Sequence, residues 1–158
     1  MSGRPPLSNP AILIATWFGV GYLPKAPGTW GSFAALPFAA LLLWLGGQWA
    51  LVAAILLLFP AGIWAAGEFN RRTASEDSGA IVVDEIVGQW LAFLPLANFD
   101  LLWFVTAFAL FRLFDVLKPW PIRVLDRRIK GGFGVMLDDV LAGIFAALCL
   151  WGLMHVST

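Results

Sequence analysis

The chain has 158 residues, 60% of them hydrophobic and 13% charged, against roughly half and a quarter in an ordinary soluble domain. Water is therefore not its main solvent, and a formal net charge of zero argues against a nucleic-acid partner, which needs a basic surface. The single cysteine, Cys149, lies in an apolar run, leaving no disulfide framework and no paired soft metal ligand.

In chain order, the first ten residues carry one basic side chain, Arg4, and no A-x-A cleavage site follows, so a removable signal peptide is not expected. Ala11 to Val20 holds about ten apolar residues, too few to span a bilayer, and reads as an interfacial or re-entrant segment. Ser32 to Ala66 would make one helix of about 50 Å, too long for a core of about 30 Å. It must break, and Gly46-Gly47-Gln48 is the place, predicting helices over 32–45 and 48–67 joined as a hairpin. Ile81 to Leu117 breaks likewise at Pro95, Asn98 and Asp100, which are costly in hydrocarbon; helices are predicted over 82–94 and 101–117. A last helix is expected over 137–154. The fold class is thus all-α: one polytopic membrane domain over 1–158, with about five membrane helices in short hairpins.

Charge supports this topology. The tips at 46–48 and 95–100 and the tail at 155–158 contain no Lys or Arg, so all ten basic residues fall at the opposite face, which the positive-inside rule makes cytoplasmic. Trp44, Trp49, Trp103 and Trp151 then lie near the outer interface, and Trp30, Trp64 and Trp120 near the inner one.

Four segments bring polar groups to that inner face. Asp84 and Glu85 open one helix, with Gly88 a turn later; one carboxylate there is a common capping device, but two beside a helix-packing glycine say more. Arg112, Asp115 and Lys118 share a face at the end of another helix, and Pro119 stops it. Asp138 and Asp139 stand side by side after Gly131-Gly132-Phe133-Gly134, where a divalent cation would relieve their repulsion. Five carboxylates at one depth form an oxygen-rich set suited to Mg²⁺ or Mn²⁺. Lys25, Gly28, Thr29 and Ser32 lead into the first long helix; Thr29 or Ser32 can cap it, and the exposed N–H groups make an anion site. The lone histidine, His155, is at the other face, and neither a Cys-x₅-Arg nor a D-x-D-x-T signature occurs. That leaves metal-assisted phosphate hydrolysis, with the basic loop Arg123 to Lys130 drawing in an anionic headgroup.

Together the four segments, K-x-P-G-T-x-G-S (Lys25 to Ser32), D-E-x-x-G (Asp84 to Gly88), F-R-x-x-D-x-x-K-P-W-P-I-R (Phe111 to Arg123) and G-G-x-G-x-x-x-D-D (Gly131 to Asp139), resemble the phosphatidylglycerophosphatase A family. The resemblance implies a multi-pass enzyme of the bacterial inner membrane that uses Mg²⁺ to convert phosphatidylglycerophosphate to phosphatidylglycerol, a step of phospholipid synthesis. On that basis Glu85, Asp115, Asp138 and Asp139 are expected to ligate one or two Mg²⁺ ions, and Asp84 to be a further ligand or the base. Lys25, Thr29, Ser32, Arg112, Lys118 and Arg123 are expected to contact the phosphate, while Asp126 and Arg127 shape the loop. Glu68, Glu76 and Asp77 are read as residues of a surface loop outside the site. The expected partners are the anionic lipid substrate and membrane lipids; a homo-oligomer is left open. A nucleotide-activated lipid phosphotransferase is disfavoured by the missing D-G-x₂-A-R helix pattern. The rival of another class is a small cation channel or transporter, which would place acids along a path through the bilayer rather than at one end.

Overall fold

The computed structural model describes residues 4–156, so the first three and last two residues of the expected 1–158 domain lie outside it. The described residues fold into six α-helices and one 3₁₀ turn: α1 (Pro10–Ala15), the turn Val20–Tyr22, α2 (Pro27–Thr73), α3 (Val83–Ala92), α4 (Leu101–Leu117), α5 (Ile122–Arg128) and α6 (Gly131–Val156). The all-α expectation holds. Two helices, α2 and α6, are long and apolar enough to cross a membrane. Their outward faces carry Trp44, Leu45, Trp49, Leu56, Leu57 and Leu148, all largely exposed, as on helices whose surroundings are themselves apolar.

The backbone of α2 leaves helical geometry at Gly46 and at Gly47, whose φ is +62°; only glycine takes the second conformation without strain. The break reverses the chain. Gly31 and Gly62 both pack at the level of Val82 and Val83, whereas Gln48 at the tip donates to the Leu94 carbonyl at 2.8 Å, beyond the other end of α3. Two antiparallel legs result, as the glycine pair predicts.

Several boundaries differ from the sequence reading. The first leg starts at Pro27 rather than Ser32, because a proline at the first helical position presets φ. Thr29 and Ser32 therefore cap nothing: the cap residue is Ala26, without a side-chain bond, and Ser32 Oγ donates to Gly28 O four residues back at 3.1 Å. The expected loop over 123–130 is largely the helix α5. Residues 131–134 are the first turn of α6, so Asp138 and Asp139 lie two turns inside the helix instead of opening it. Glycine is needed there for packing: a Cβ at Gly132 would collide with the Ile63 carbonyl, and one at Gly134 with that of Ile129. Glu68 belongs to the end of α2.

Residues 9–22 enter the bundle and return. Tyr22 Oη donates to Pro5 O at 2.6 Å, bringing the two ends together, while Trp17 between them packs edge-on against Trp90 and Phe38, with ring centroids 5.9 and 5.2 Å apart. At ten residues α3 is about 15 Å long, half the depth of a bilayer core. Its packing on α6 is close because both sides are bare. A Cβ on Gly88 would lie 2.7 Å from the Asp139 carbonyl oxygen, and one on Gly143 would strike the Gly88 carbonyl.

Candidate active site

The starts of α2, α3 and α6 and the end of α4 meet at one end of the bundle around a polar cavity of about 250 Å³. Asp84 and Glu85 occupy the first turn of α3, where the helix dipole favours negative charge. Asp84, Glu85 and Asp139 each aim a carboxylate oxygen into one space, all within 4.8 Å of one another. If ionised, a pair at 4.8 Å repels by about 3.5 kcal/mol at an effective dielectric of 20, so the grouping calls for a compensating cation. Among the described residues, Glu85 Oε2 and Asp139 Oδ2 are buried without a hydrogen-bond partner, as is Asp138 Oδ1. Hard oxygen donors held short of partners are what Mg²⁺ or Mn²⁺ takes, and the residues fit such an ion.

The other two acids of the expected set are each gripped by a cation. Asp115 Oδ2 lies 2.6 Å from Arg112 Nη1, which also donates to Ser32 Oγ at 3.4 Å. Asp138 Oδ2 lies 2.6 Å from Lys118 Nζ, and Asp126 Oδ1 is 3.2 Å from the same ammonium. Burial works to lower the Lys118 pKa, but these two carboxylates outweigh it and hold the ammonium above the ordinary lysine value. Gly28 closes the cavity opposite Glu85. A Cβ there would run into Glu85 Oε1 and lie 3.5 Å from Arg112 Nη1, so the glycine read as an anion loop provides room for a carboxylate.

Asp115, Lys118, Asp138 and Asp139 line the cavity with Asp84 and Glu85. Ser32 and Arg112 stand behind it, linked to each other. Lys25 and Thr29 are exposed near the start of α2 and do not line it; nor does Arg123, which donates to Leu117 O at 3.3 Å. His155 stacks on Trp151 in the last turn of α6, far from the acids, with ring centroids 4.2 Å apart.

Lining residues that the sequence reading kept out of the site are Glu76 and Asp77; Asp126, expected only to shape its loop, lines the cavity as well, together with Lys130 of the basic segment. The segment after α2 folds back over the cavity because Asn70 Nδ2 donates to Glu76 O at 2.8 Å; no local pattern announces such a contact. Gln89 was also missed. It is fully buried one turn beyond Glu85 on the same face of α3, and neither its Nε2 nor its Oε1 has a partner.

Apolar helices closing around a carboxylate cavity, with an ammonium group at its wall, suit the class of membrane-associated enzymes that work on a phosphate group. The comparisons narrow the class to a family. The model of the family described as "PgpA: Phosphatidylglycerophosphatase A" matches residues 13–154, and the chain belongs to that family. It is 39% identical over 150 residues to phosphatidylglycerophosphatase A of Escherichia coli, covering 94% of this chain and 86% of that protein. The namesake from Haemophilus influenzae is 39% identical over 149 residues, covering 94% and 91%. A Bacteroides thetaiotaomicron protein named for phosphatidylinositol-3-phosphatase activity is 42% identical over 151 residues, covering 88% and 90%. No solved structure matches the chain.

Proposed function

We propose that this cavity receives the terminal phosphate of phosphatidylglycerophosphate and that the chain hydrolyses it to phosphatidylglycerol and inorganic phosphate. The family makes the chain a phosphatidylglycerophosphatase, a phosphoric monoester hydrolase. One observation carries the placement of the site: Asp84, Glu85 and Asp139 converge within 4.8 Å beside Lys118, with carboxylate oxygens left unpartnered. Both substrates named among the relatives share one chemistry, a phosphate monoester on a headgroup that is itself joined to the lipid by a phosphodiester.

On this reading Glu85 and Asp139, with Asp84, hold Mg²⁺. Such an ion, if held there, would supply Lewis acidity to activate a water and positive charge to offset that building on the phosphoryl oxygens. Asp84 alternatively accepts the attacking water's proton. Lys118 and Lys130, on the cavity wall, hold the non-bridging oxygens of the phosphate and stabilise the charge that develops on them. Arg112 keeps Asp115 oriented, and through Ser32 it braces the first turn of α2 against Glu85. Asp115 and Asp138 then act by positioning Arg112 and Lys118, or join the metal set once substrate draws those cations away. Arg123 and Arg127, exposed beside Trp120, attract the anionic lipid surface.

The arrangement we propose is five-pass, in the bacterial inner membrane with the site at the cytoplasmic face. All ten basic residues of the sequence fall at the cavity's end of the bundle. In it α3 covers half the depth and the irregular 93–100 stretch the rest, with Phe93 and Leu96 buried as membrane-depth loops require. The test is phosphate release by purified protein from phosphatidylglycerophosphate, with and without chelator, alongside Glu85→Gln and Asp139→Asn. Turnover that survives chelation, or full activity in both variants, would sink the mechanism.

A further inference from the structure

A second cavity, of about 220 Å³, opens beside the first, and the two share Ser78 as a common wall. Their chemistry is opposite. Eight carboxylates and two lysines line the first, whereas two arginines, Arg4 and Arg72, and no carboxylate line the second. Tyr22, Thr73 and Ser78 complete its polar wall.

The charge here is not used up inside the protein. Arg71 and Arg72 share one acid, Glu68, so the trio keeps one net positive charge. Arg72 reaches Glu68 through Nε at 2.5 Å, which leaves its terminal nitrogens to donate elsewhere. Arg4 sits over the Tyr22 ring, its guanidinium carbon 5.3 Å from the centroid, and among the described residues no carboxylate pairs with it. Ser78 Oγ accepts from Ala80 N, so its hydroxyl hydrogen remains available. Guanidinium groups with spare donors, flanked by a hydroxyl, suit a phosphate rather than a metal.

We infer that the second cavity holds the phosphodiester of the same lipid whose terminal monoester enters the first, so that Arg4 and Arg72 select a substrate with two phosphates. This rests on the phosphatase reading given above. The two phosphates of that lipid are separated by one glycerol, and the two cavities share Ser78 in their walls. Leu23 lines the second cavity, and Phe18 and Leu7 are exposed earlier in the same N-terminal part of the chain, giving an apolar flank to the acylated half of the molecule. Because α2 ends at Thr73, the negative end of its dipole works against an anion. The guanidinium groups must outweigh it, which makes them the residues to change.

The experiment uses the full chain in neutral detergent micelles containing phosphatidylglycerophosphate and no other phospholipid. Arg4→Gln and Arg72→Gln should each raise KM about tenfold, as loss of a charge-assisted contact does, and the double variant more. The kcat should hold, since the reacting phosphate lies in the other cavity. Arg71→Gln, which removes a partner of the same Glu68 but does not line the cavity, should leave KM unchanged, and Arg4→Lys should recover part of the loss. Unchanged KM in the double variant overturns the inference. So does a KM effect seen only after phosphatidylglycerol is mixed into the micelles, which would assign the cavity to a separate lipid. A second measurement is independent of turnover. The ³¹P resonance of glycerophosphoglycerol, a soluble phosphodiester, should broaden with wild-type protein and stay sharp with the double variant. Broadening that persists in the double variant also overturns it. Failure of the wild type to release phosphate would instead count against the phosphatase reading and leave this binding result standing.

Discussion

One methyl group added at Gly28 should disable the site while leaving the fold in place. The backbone at this position is helical and not in the left-handed region, so alanine is tolerated and favours the helix by up to about 1 kcal/mol. The new Cβ would instead meet the Glu85 carboxylate, whose Cδ would be 3.3 Å away and whose Oε1 would be closer still. Arg112 Nη1, at 3.5 Å, blocks one line of retreat. The carboxylate must withdraw by about 1 Å, and a misplacement of that size costs about a hundredfold in rate. Gly28→Ala should therefore lower kcat about a hundredfold, weaken Mn²⁺ binding followed by electron paramagnetic resonance, and keep the thermal midpoint within a few degrees. Gly28→Ala combined with Glu85→Asp, which shortens the acid by one methylene, should regain part of both losses. Wild-type turnover and Mn²⁺ affinity in Gly28→Ala would refute the idea that Glu85 occupies the space this glycine leaves.

Other outcomes follow from the same geometry. Lys118→Met strips the ammonium from Asp138 and Asp126; phosphate release should fall at least tenfold, as for loss of a charge-assisted phosphate contact, and Lys118→Arg should restore it only in part. Gly143→Ala places a Cβ 2.9 Å from that of Leu91 and against the Gly88 carbonyl, so overpacking should cost about 1–3 kcal/mol, read as a lower unfolding midpoint in detergent. Gln89→Leu removes an amide buried with neither atom partnered; a gain of about 1–3 kcal/mol is expected, and a loss in the same unfolding assay would show that the amide is bonded in the folded protein.

Much of the architecture was legible because its causes are local. Runs too long for a bilayer had to break, and Gly46-Gly47 and Pro95 to Asp100 were the obvious places. The Arg112–Asp115 pair was readable from its spacing of three. What depth could not reveal was how the acids divide among partners. Asp138 is claimed by Lys118, twenty residues earlier in the chain, and Asp84 enters the tight group instead. The helix starts were misjudged for a related reason. Glycine costs a helix about 1 kcal/mol, so Gly131 to Gly134 reads as a loop until the Ile63 and Ile129 carbonyls that demand it are in view. Glu76 and Asp77 are exposed, as a surface segment should be, but the Asn70 amide that brings them to the cavity wall acts through a backbone carbonyl, which leaves no mark on side-chain pattern.

The reversal at Gly47 acts as the pivot of a pair of callipers. One jaw is Pro27 and Gly28, on the wall of the acidic cavity, and the other is Arg72 and Thr73, on the wall of the basic one. Both jaws belong to the same hairpin, and its legs bear on the start of α3 at Val82 and Val83. The span between a reacting phosphate and an anchoring one is then a property of how wide the hairpin stands. Substitutions at Val82, which lines neither cavity, would alter which headgroup fits by changing that opening rather than by touching the lipid.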